Sequence, residues 1–478
     1  MQTKSQPDEI ESFLTDASFI RDGYADRVVL PESIDDVSEI LKNANRDRVP
    51  VTVSGGGTGT VGGRVAFGGT VLATDKLNHI KSIDRAGFAV VEAGVILADL
   101  QRAVDQQGLL YPPDPTERGC FVGGNVATNA SGARTFKYGP TRNYIRRLNV
   151  VLASGEIVDL RRGELRADVN GRMRIRQTEL SLPHFHMPAT RKNATGYFIA
   201  PEMDAIDLFI GSEGTLGVIC EIEVRLLPKP KGLLSGVVFF ANEADVLALV
   251  ADAREHADAR AIEFFDNESL NFLREKYPNI PSQAAGAIFF EQETTETTEE
   301  SVLNEWMSLL DQHHALSDSW FATNEQDQTK LREFRHQLPV LMNEWFGHYK
   351  QRKVSTDMSV PDDAFPGLFR LYKDTLTFSG LRYTIFGHIG DNHVHVNILP
   401  RNDNEGARAR ELYIQFLKHA ASVGGTLSAE HGVGKLKRDY LRLFYTDAEL
   451  RAMATIKKAL DPNGILGHGN IFSEDLLS

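Results

Sequence analysis

Cysteine is almost missing from this chain. Only Cys120 and Cys220 occur in 478 residues, which excludes a disulfide framework and any Cys-ligated zinc or iron–sulfur site built from this sequence alone. No apolar run approaches the ~20 residues that a bilayer span needs. MQTKSQPDEI at the start lacks the basic, apolar and small-residue succession of a signal peptide. These absences predict a soluble, cytoplasmic protein and are compatible with peripheral contact at the inner face of a membrane. A basic surplus is also lacking. With a net charge of −13 there is no lysine and arginine stripe to neutralise phosphates, so no nucleic-acid partner is expected. Internal repeats, low-complexity tracts and an HExxH motif are absent as well.

What remains is ordinary globular composition, 42% hydrophobic and 24% charged, long enough for two or three domains. RVVLP reads as a strand, followed by a helix capped by Ser33 with Ile34, Val37, Ile40 and Leu41 at helical spacing. VPVTVS then runs into SGGGTGTVGG. Such a loop lets backbone N–H groups approach an anion closely. It lacks the Gly-Lys-Ser/Thr ending of a Walker A site, and RVAFGGTVLATDKL after it is strand-like, so the Rossmann fingerprint fails too. FAVVEAGVILADLQRAVDQQG gives a strand and a helix. The segment LYPPDPTERGCFVGGNVATNASGARTFKYGPTRN has little periodicity, and a loop of that length implies a function such as wrapping a polar cofactor. NVVLASGEIVDL is a hairpin, residues 163–190 form a charged excursion, and PKPKG at 228–232 marks a boundary. Beyond it, apolar runs and helical patterns alternate. They predict a largely antiparallel sheet with helices on one face and a helix broken at Pro339.

The stretch LRYTIFGHIGDNHVHVNIL, 381–399, reads as two strands joined by a Gly-Asp-Asn turn. Alternation along the second strand would set His393, His395 and Asn397 on one face. SAEHGVG later supplies adjacent Glu430 and His431. Imidazoles with a carboxylate suit a divalent ion with an open position, and a His-rich sheet face with a buried ion pair suits the same pattern.

Taken in order, these motifs resemble the FAD-linked oxidases of the vanillyl-alcohol oxidase/p-cresol methylhydroxylase superfamily. The closer likeness is to the D-2-hydroxy-acid dehydrogenase branch, from about residue 25 to about residue 472. The fold class the resemblance implies is α+β: a two-part FAD-binding domain at 20–230, a substrate or cap domain at 231–440 with an antiparallel sheet covered by helices, and a helical segment at 441–478 that returns to the first domain. It implies that Ser54, Gly55, Gly56, Gly57, Thr58, Gly59 and Thr60 cradle the FAD pyrophosphate. Pro113, Asp114, Thr116, Gly123, Gly124, Asn125, Thr128 and Ser131 would wrap the flavin, and Glu213, Gly214, Val218 and Ile219 would meet its adenine half. Covalently flavinylated relatives carry a histidine in the first loop, where this chain has Gly56-Gly57-Thr58, so the FAD is expected to be non-covalent.

The branch motifs GHxGDGNxH and EHGxG imply His388, His395 and Glu430 as ligands of a divalent metal, Zn or Mn/Fe. They further imply His431 as catalytic base, Asn397 as a substrate contact and Arg335 as receiver of the substrate carboxylate. The chemistry is coherent. A guanidinium clamps a carboxylate, a metal lowers the pKa of a bound hydroxyl, and an imidazole removes its proton. The expected reaction is oxidation of a small D-2-hydroxy acid, D-lactate-like. Its electrons would pass to a separate acceptor such as a quinone, a cytochrome, an electron-transfer flavoprotein or an iron–sulfur subunit. A homodimer is compatible with this reading.

The sequence departs from its relatives in three places. Position 393 is His where they usually have Asn, leaving a ligand, a substrate contact and a filler as readings. Ser355 and Thr356 stand where some relatives place a lysine for a distal carboxylate. ILGHGNIF, with Gly467 and His468, replaces the usual ILNPGK. Rival readings are a transferase similar to alkyl-dihydroxyacetone-phosphate synthase, a flavin-free zinc hydrolase, a flavin subunit without chemistry of its own, and glycolate or D-2-hydroxyglutarate as substrate. The transferase would need a richer cationic cluster than Arg335 supplies.

Overall fold

The computed structural model describes residues 1–185 and 187–477. Three sheets of four or more strands organise the described residues. In the first, Thr70–Ala73 lies between Arg27–Leu30 and Val51–Ser54 and runs parallel to both, with Gln2–Lys4 added antiparallel at one edge. Thr70–Ala73 is wholly buried, as a continuous apolar run in the middle of parallel strands should be. Ser33 caps the helix Ile34–Asp47, its Oγ accepting from the Asp36 N–H at 3.1 Å, which answers one of the free donors of the first turn. The second sheet is antiparallel, in the order Ile80–Asp84, Phe88–Glu92, Val218–Arg225, Ile145–Val151 and Ile157–Arg161. The excursion at 163–190 contains a small hairpin, Arg172–Ile175 with Thr178–Ser181. The wrapping segment is less irregular than its sequence suggests, since it holds the short helix Val122–Thr128.

The third sheet has seven strands, all pairings antiparallel, running from Trp320–Ala322 through Gly232–Phe240, Gly286–Thr294, Ala259–Asp266, Tyr383–Gly387 and His395–Ile398 to Val354–Ser355. Helices cover both of its faces, not one. Alternate residues of Gly232–Phe240 enter different cores: Val238 and Phe240 join the main cluster, whereas Val237 and Phe239 join a second beneath the helix Glu325–Tyr349. Runs such as GVVFF and AIFF are buried on both sides for this reason. That helix continues unbroken through Pro339, contrary to the expected break. Leu331, Phe334, Leu338, Leu341, Met342 and Phe346 form one buried face along it, and packing holds the helix together across the missing proline N–H.

The C-terminal stretch returns to the first sheet. The Val51 N–H donates to the Ile465 carbonyl at 2.7 Å, and the Gly467 N–H donates to the Val51 carbonyl at 3.0 Å. Among the described residues, no helix is long and apolar enough to cross a membrane.

Candidate functional site

The glycine loop leaves the strand Val51–Ser54 and forms one wall of a cleft. Gly55, Gly56, Gly57, Thr58 and Gly59 line it. Opposite stands the helix Val122–Thr128 with Gly123, Gly124, Asn125 and Thr128, and Glu213, Gly214 and Ile219 complete the wall. Gly123 presses on the neighbouring strand end: a Cβ there would lie 2.6 Å from the Ala93 Cβ and 2.8 Å from its carbonyl oxygen. Arg64 is the only lysine or arginine among the described lining residues. No local motif singles it out, because its place is set by contacts with Ser54 Oγ at 3.3 Å and the Gly55 carbonyl at 2.8 Å.

The remaining candidate cofactor-binding residues lie off this lining, and Glu213 turns its carboxylate away from it. Ser54 is buried behind the loop, and Thr60 and Val218 are not on the lining. The Pro113 carbonyl accepts from Gln101 at 3.1 Å, and Asp114 pairs with Arg118 at 3.2 Å and Arg134 at 3.4 Å. Burial opposes the Asp114 charge, but those arginines hold its carboxyl down at about 2. The Thr116 hydroxyl accepts from Arg335 Nη1 at 3.4 Å. Ser131 donates to Glu430 Oε2 at 3.0 Å. The Glu213 carboxylate accepts from the Val433 and Gly434 N–H groups, both at 2.7 Å, so this side chain anchors the EHGVG turn.

The histidines converge by a different route from the one alternation predicts. The paired strands end at Gly387 and begin again at His395. Hence His388 and His393 both sit in the connection, and only His395 and Asn397 share a strand face. The connection turns through Ile389–Asp391 and through Asn392 at φ 53°, a left-handed conformation asparagine tolerates. The His393 N–H then reaches the His388 carbonyl at 3.2 Å.

His388 and His395 each bring Nε2 to 3.1 Å from Glu430 Oε1. Their Nδ1 atoms are occupied, His388 against Glu263 Oε1 at 2.6 Å and His395 against the Thr356 carbonyl at 3.1 Å. Since Nδ1–H is the donor in both rings, two Nε2 lone pairs and a carboxylate oxygen face one point. Only a cation satisfies three acceptors at that point, and outer partners of this kind orient metal-binding imidazoles. Burial disfavours the charge on His388, but Glu263 and Glu430 raise its pKa to about 9. Burial also opposes ionisation of Glu430, yet His388 and Lys192 hold its carboxyl well below the usual range.

Lys192 and Asp357 carry no local sequence signal. Lys192 is fully buried, with Nζ 3.3 Å from Glu430 Oε2, 3.2 Å from Asp391 Oδ2 and 3.2 Å from the Gly132 carbonyl. Asp357 accepts from Ser428 Oγ, from the N–H groups of Glu430 at 3.3 Å and His431 at 3.1 Å, and from Lys437 at 2.7 Å. A lone lysine in KNATGYFI and a lone aspartate in KVSTDMSVP resemble surface charges when read locally.

His431 lies on the cleft lining and stacks on His395, with ring centroids 5.3 Å apart and an interplanar angle of 15°. Its Nδ1 faces Asp357 Oδ2 at 3.4 Å, which leaves Nε2 with the lone pair. Burial pushes this imidazole down to about 4, so it is neutral at pH 7. Asn397 is buried, and neither amide atom has a hydrogen-bond partner. Arg335 gives Nε and Nη2 to Glu263 Oε2 at 3.0 and 2.8 Å. Beside it opens a second cleft whose walls include Arg118, Arg134, Arg260 and Arg332. Cationic residues are therefore more plentiful here than Arg335 alone suggested, although Asp114 and Glu291 pair with them.

Residues 229–471 match the FAD linked oxidases C-terminal domain, and residues 25–161 match the FAD binding domain. A D-lactate dehydrogenase of Anaerostipes hadrus is 32% identical, covering 97% of this chain and 93% of its own. Glycolate oxidase subunit GlcD of Bacillus subtilis is 31% identical over 94% and 89% of the two chains. A D-2-hydroxyglutarate dehydrogenase of Stutzerimonas stutzeri is 30% identical over 93% and 90%. Among solved structures, alkyldihydroxyacetonephosphate synthase superposes with a TM-score of 0.69 at 17% identity, covering 98% of this chain and 83% of that one, a likeness of fold.

Proposed function

The chain belongs to the FAD-linked oxidases and is a FAD-dependent oxidoreductase, and from that premise we propose that it oxidises a small D-2-hydroxy acid such as D-lactate to the 2-oxo acid with the aid of a divalent ion. One observation carries this reading: His431 belongs at once to the glycine-walled cleft and to the histidine cluster. A substrate hydroxyl beside His431 would thus lie between the two. The glycine loop, the helix Val122–Thr128 and Arg64 hold non-covalent FAD. His388, His395 and Glu430 hold the ion, and this mixed imidazole and carboxylate set suits Zn, Mn or Fe.

When bound, the flavin supplies a two-electron acceptor and the ion supplies Lewis acidity at the substrate hydroxyl. Arg335 meets the substrate carboxylate through Nη1, which also reaches the Thr116 hydroxyl at 3.4 Å, while Glu263 fixes the rest of the guanidinium. Asn397, with both amide atoms unpartnered, orients the substrate by hydrogen bonding. His431 Nε2 takes the hydroxyl proton, and Asp357 stabilises the imidazolium that results. The cations beside Arg335 are paired with Asp114 and Glu291, which favours a carboxylate substrate over the phosphate ester of a transferase. With Cys120 and Cys220 as its two cysteines this sequence cannot ligate an iron–sulfur cluster by itself, and the electrons pass to a separate acceptor. The chain divides into a FAD-binding part at 20–230, a cap at 231–440 and a returning tail at 441–478.

Anaerobic addition of D-lactate bleaches the yellow protein, whereas L-lactate does not, and prior chelation slows the bleaching at least a hundredfold. Bleaching by neither enantiomer, or equally by both, removes the reading. Gly123→Ala tests the cleft itself. Its methyl group has no room against Ala93, so overpacking of about 1–3 kcal/mol lowers the melting temperature and the retained FAD together. Full FAD occupancy and unchanged melting would show that the helix does not form the cofactor wall.

A further inference from the structure

We infer that His393 is a third imidazole ligand of the divalent ion, turning the two-histidine, one-glutamate set into a three-histidine, one-glutamate site that selects Zn²⁺, Co²⁺ or Fe²⁺ over Mn²⁺. The inference rests on the metal-dependent reading above and extends it to a residue with no assigned role. His393 is fully buried, and neither ring nitrogen has a hydrogen-bond partner. Burying an unpaired polar group costs about 1–3 kcal/mol, so a side chain that only filled space would be better replaced by an apolar one. Its ring lies 4.6 Å from that of His395 and 5.6 Å from that of His388. Ligand atoms from His388, His393, His395 and Glu430 all lie within 4.8 Å of one another. Two ligands ~2.1 Å from one ion can be at most ~4.2 Å apart, so a small contraction closes the set.

The other readings of position 393 fit less well. Its ring packs against those of His388 and His395 and away from the cleft lining, a place that suits a ligand better than a substrate contact. Its nearest anion is Asp357 Oδ1, 3.4 Å from Nε2, and that carboxylate is already served by Ser428, Lys437 and two backbone N–H groups. The backbone also fixes the juxtaposition. The His393 N–H to His388 carbonyl bond and the left-handed Asn392 bring the two imidazoles side by side across the connection. A third neutral nitrogen donor shifts preference towards borderline ions and away from the harder Mn²⁺, which favours oxygen ligands.

The test uses flavin-loaded protein stripped by a chelator and titrated with Zn²⁺ or Mn²⁺ against a chromophoric competitor. His393→Asn weakens Zn²⁺ binding at least about a hundredfold and Mn²⁺ binding less than tenfold. X-ray absorption at the zinc edge falls from three imidazoles to two. His393→Gln, run alongside, and the FAD content and metal-free melting temperature of each variant separate ligand loss from misfolding. Unchanged Zn²⁺ affinity and imidazole count in His393→Asn overturn the inference, and so does equal weakening for both ions. His395→Ala distinguishes the underlying reading. If it abolishes metal binding while His393→Asn has no effect, only the third ligand is wrong. If the wild-type protein binds neither ion, the metal site falls with it.

Discussion

Glu430→Gln yields a protein that keeps its FAD, retains no divalent ion and turns over D-lactate at least about a thousandfold more slowly. Glu430 Oε1 is the one anionic oxygen within 3.1 Å of both His388 and His395 Nε2. A neutral amide in its place can offer an oxygen but not the negative charge that holds a divalent ion against two neutral imidazoles. Lewis-acid assistance to a hydroxyl contributes several kcal/mol, and each 1.36 kcal/mol is tenfold in rate, so losing about 4 kcal/mol gives the factor of a thousand. The fold survives the change, because Lys192 keeps Asp391 at 3.2 Å and Ser131 can still donate to a carboxamide oxygen. Turnover within tenfold of wild type, with metal content unchanged, would remove Glu430 from the centre of the site. Loss of FAD together with the metal would mean that the residue holds the two halves together instead.

Much of this arrangement could be read from the residues because it is local. The glycine loop, Ser33 and the strand-forming runs each report their conformation within a few positions, and His388, His395, Glu430 and His431 lie in two short motifs. Three features were hidden because they depend on contacts distant in sequence. The sheet of the cap is covered on both faces, and continuous runs such as AIFF hint at this, but strand alternation alone does not say which helices arrive. The helix Glu325–Tyr349 passes through Pro339 because its buried face outweighs one missing N–H. His393 was placed on the strand face by alternation, whereas the strand begins only at His395. Its partner ring is fixed by a turn whose length the alternation rule cannot see. Asp357 and Arg64 followed the same pattern, as single charges whose meaning comes from residues ten to eighty positions away.

Lys192 is the most consequential of the hidden residues, and Lys192→Met destabilises the folded chain by about 3–5 kcal/mol in urea unfolding at pH 7. The ammonium sits in full burial between Glu430 from the EHGVG turn, Asp391 from the histidine connection and the Gly132 carbonyl from the loop after the helix Val122–Thr128. Methionine matches its volume but leaves two buried carboxylates without their shared cation. Glu430 retains His388, so Asp391 bears most of the loss. Burial already raises the Asp391 carboxyl with the lysine present, and without it the rise grows. A carboxyl whose folded pKa exceeds its unfolded value binds more protons when folded, so this part of the penalty increases as pH rises through the unfolded carboxylate range and shrinks below it. Asp391→Asn placed on top of Lys192→Met should therefore restore part of the stability at pH 7, with a coupling of about 1–3 kcal/mol in the double-mutant cycle. Additive losses with no pH dependence would show that the lysine acts through packing alone. A full cost accompanied by unchanged metal affinity would separate its structural part from any role in holding Glu430 against the ion.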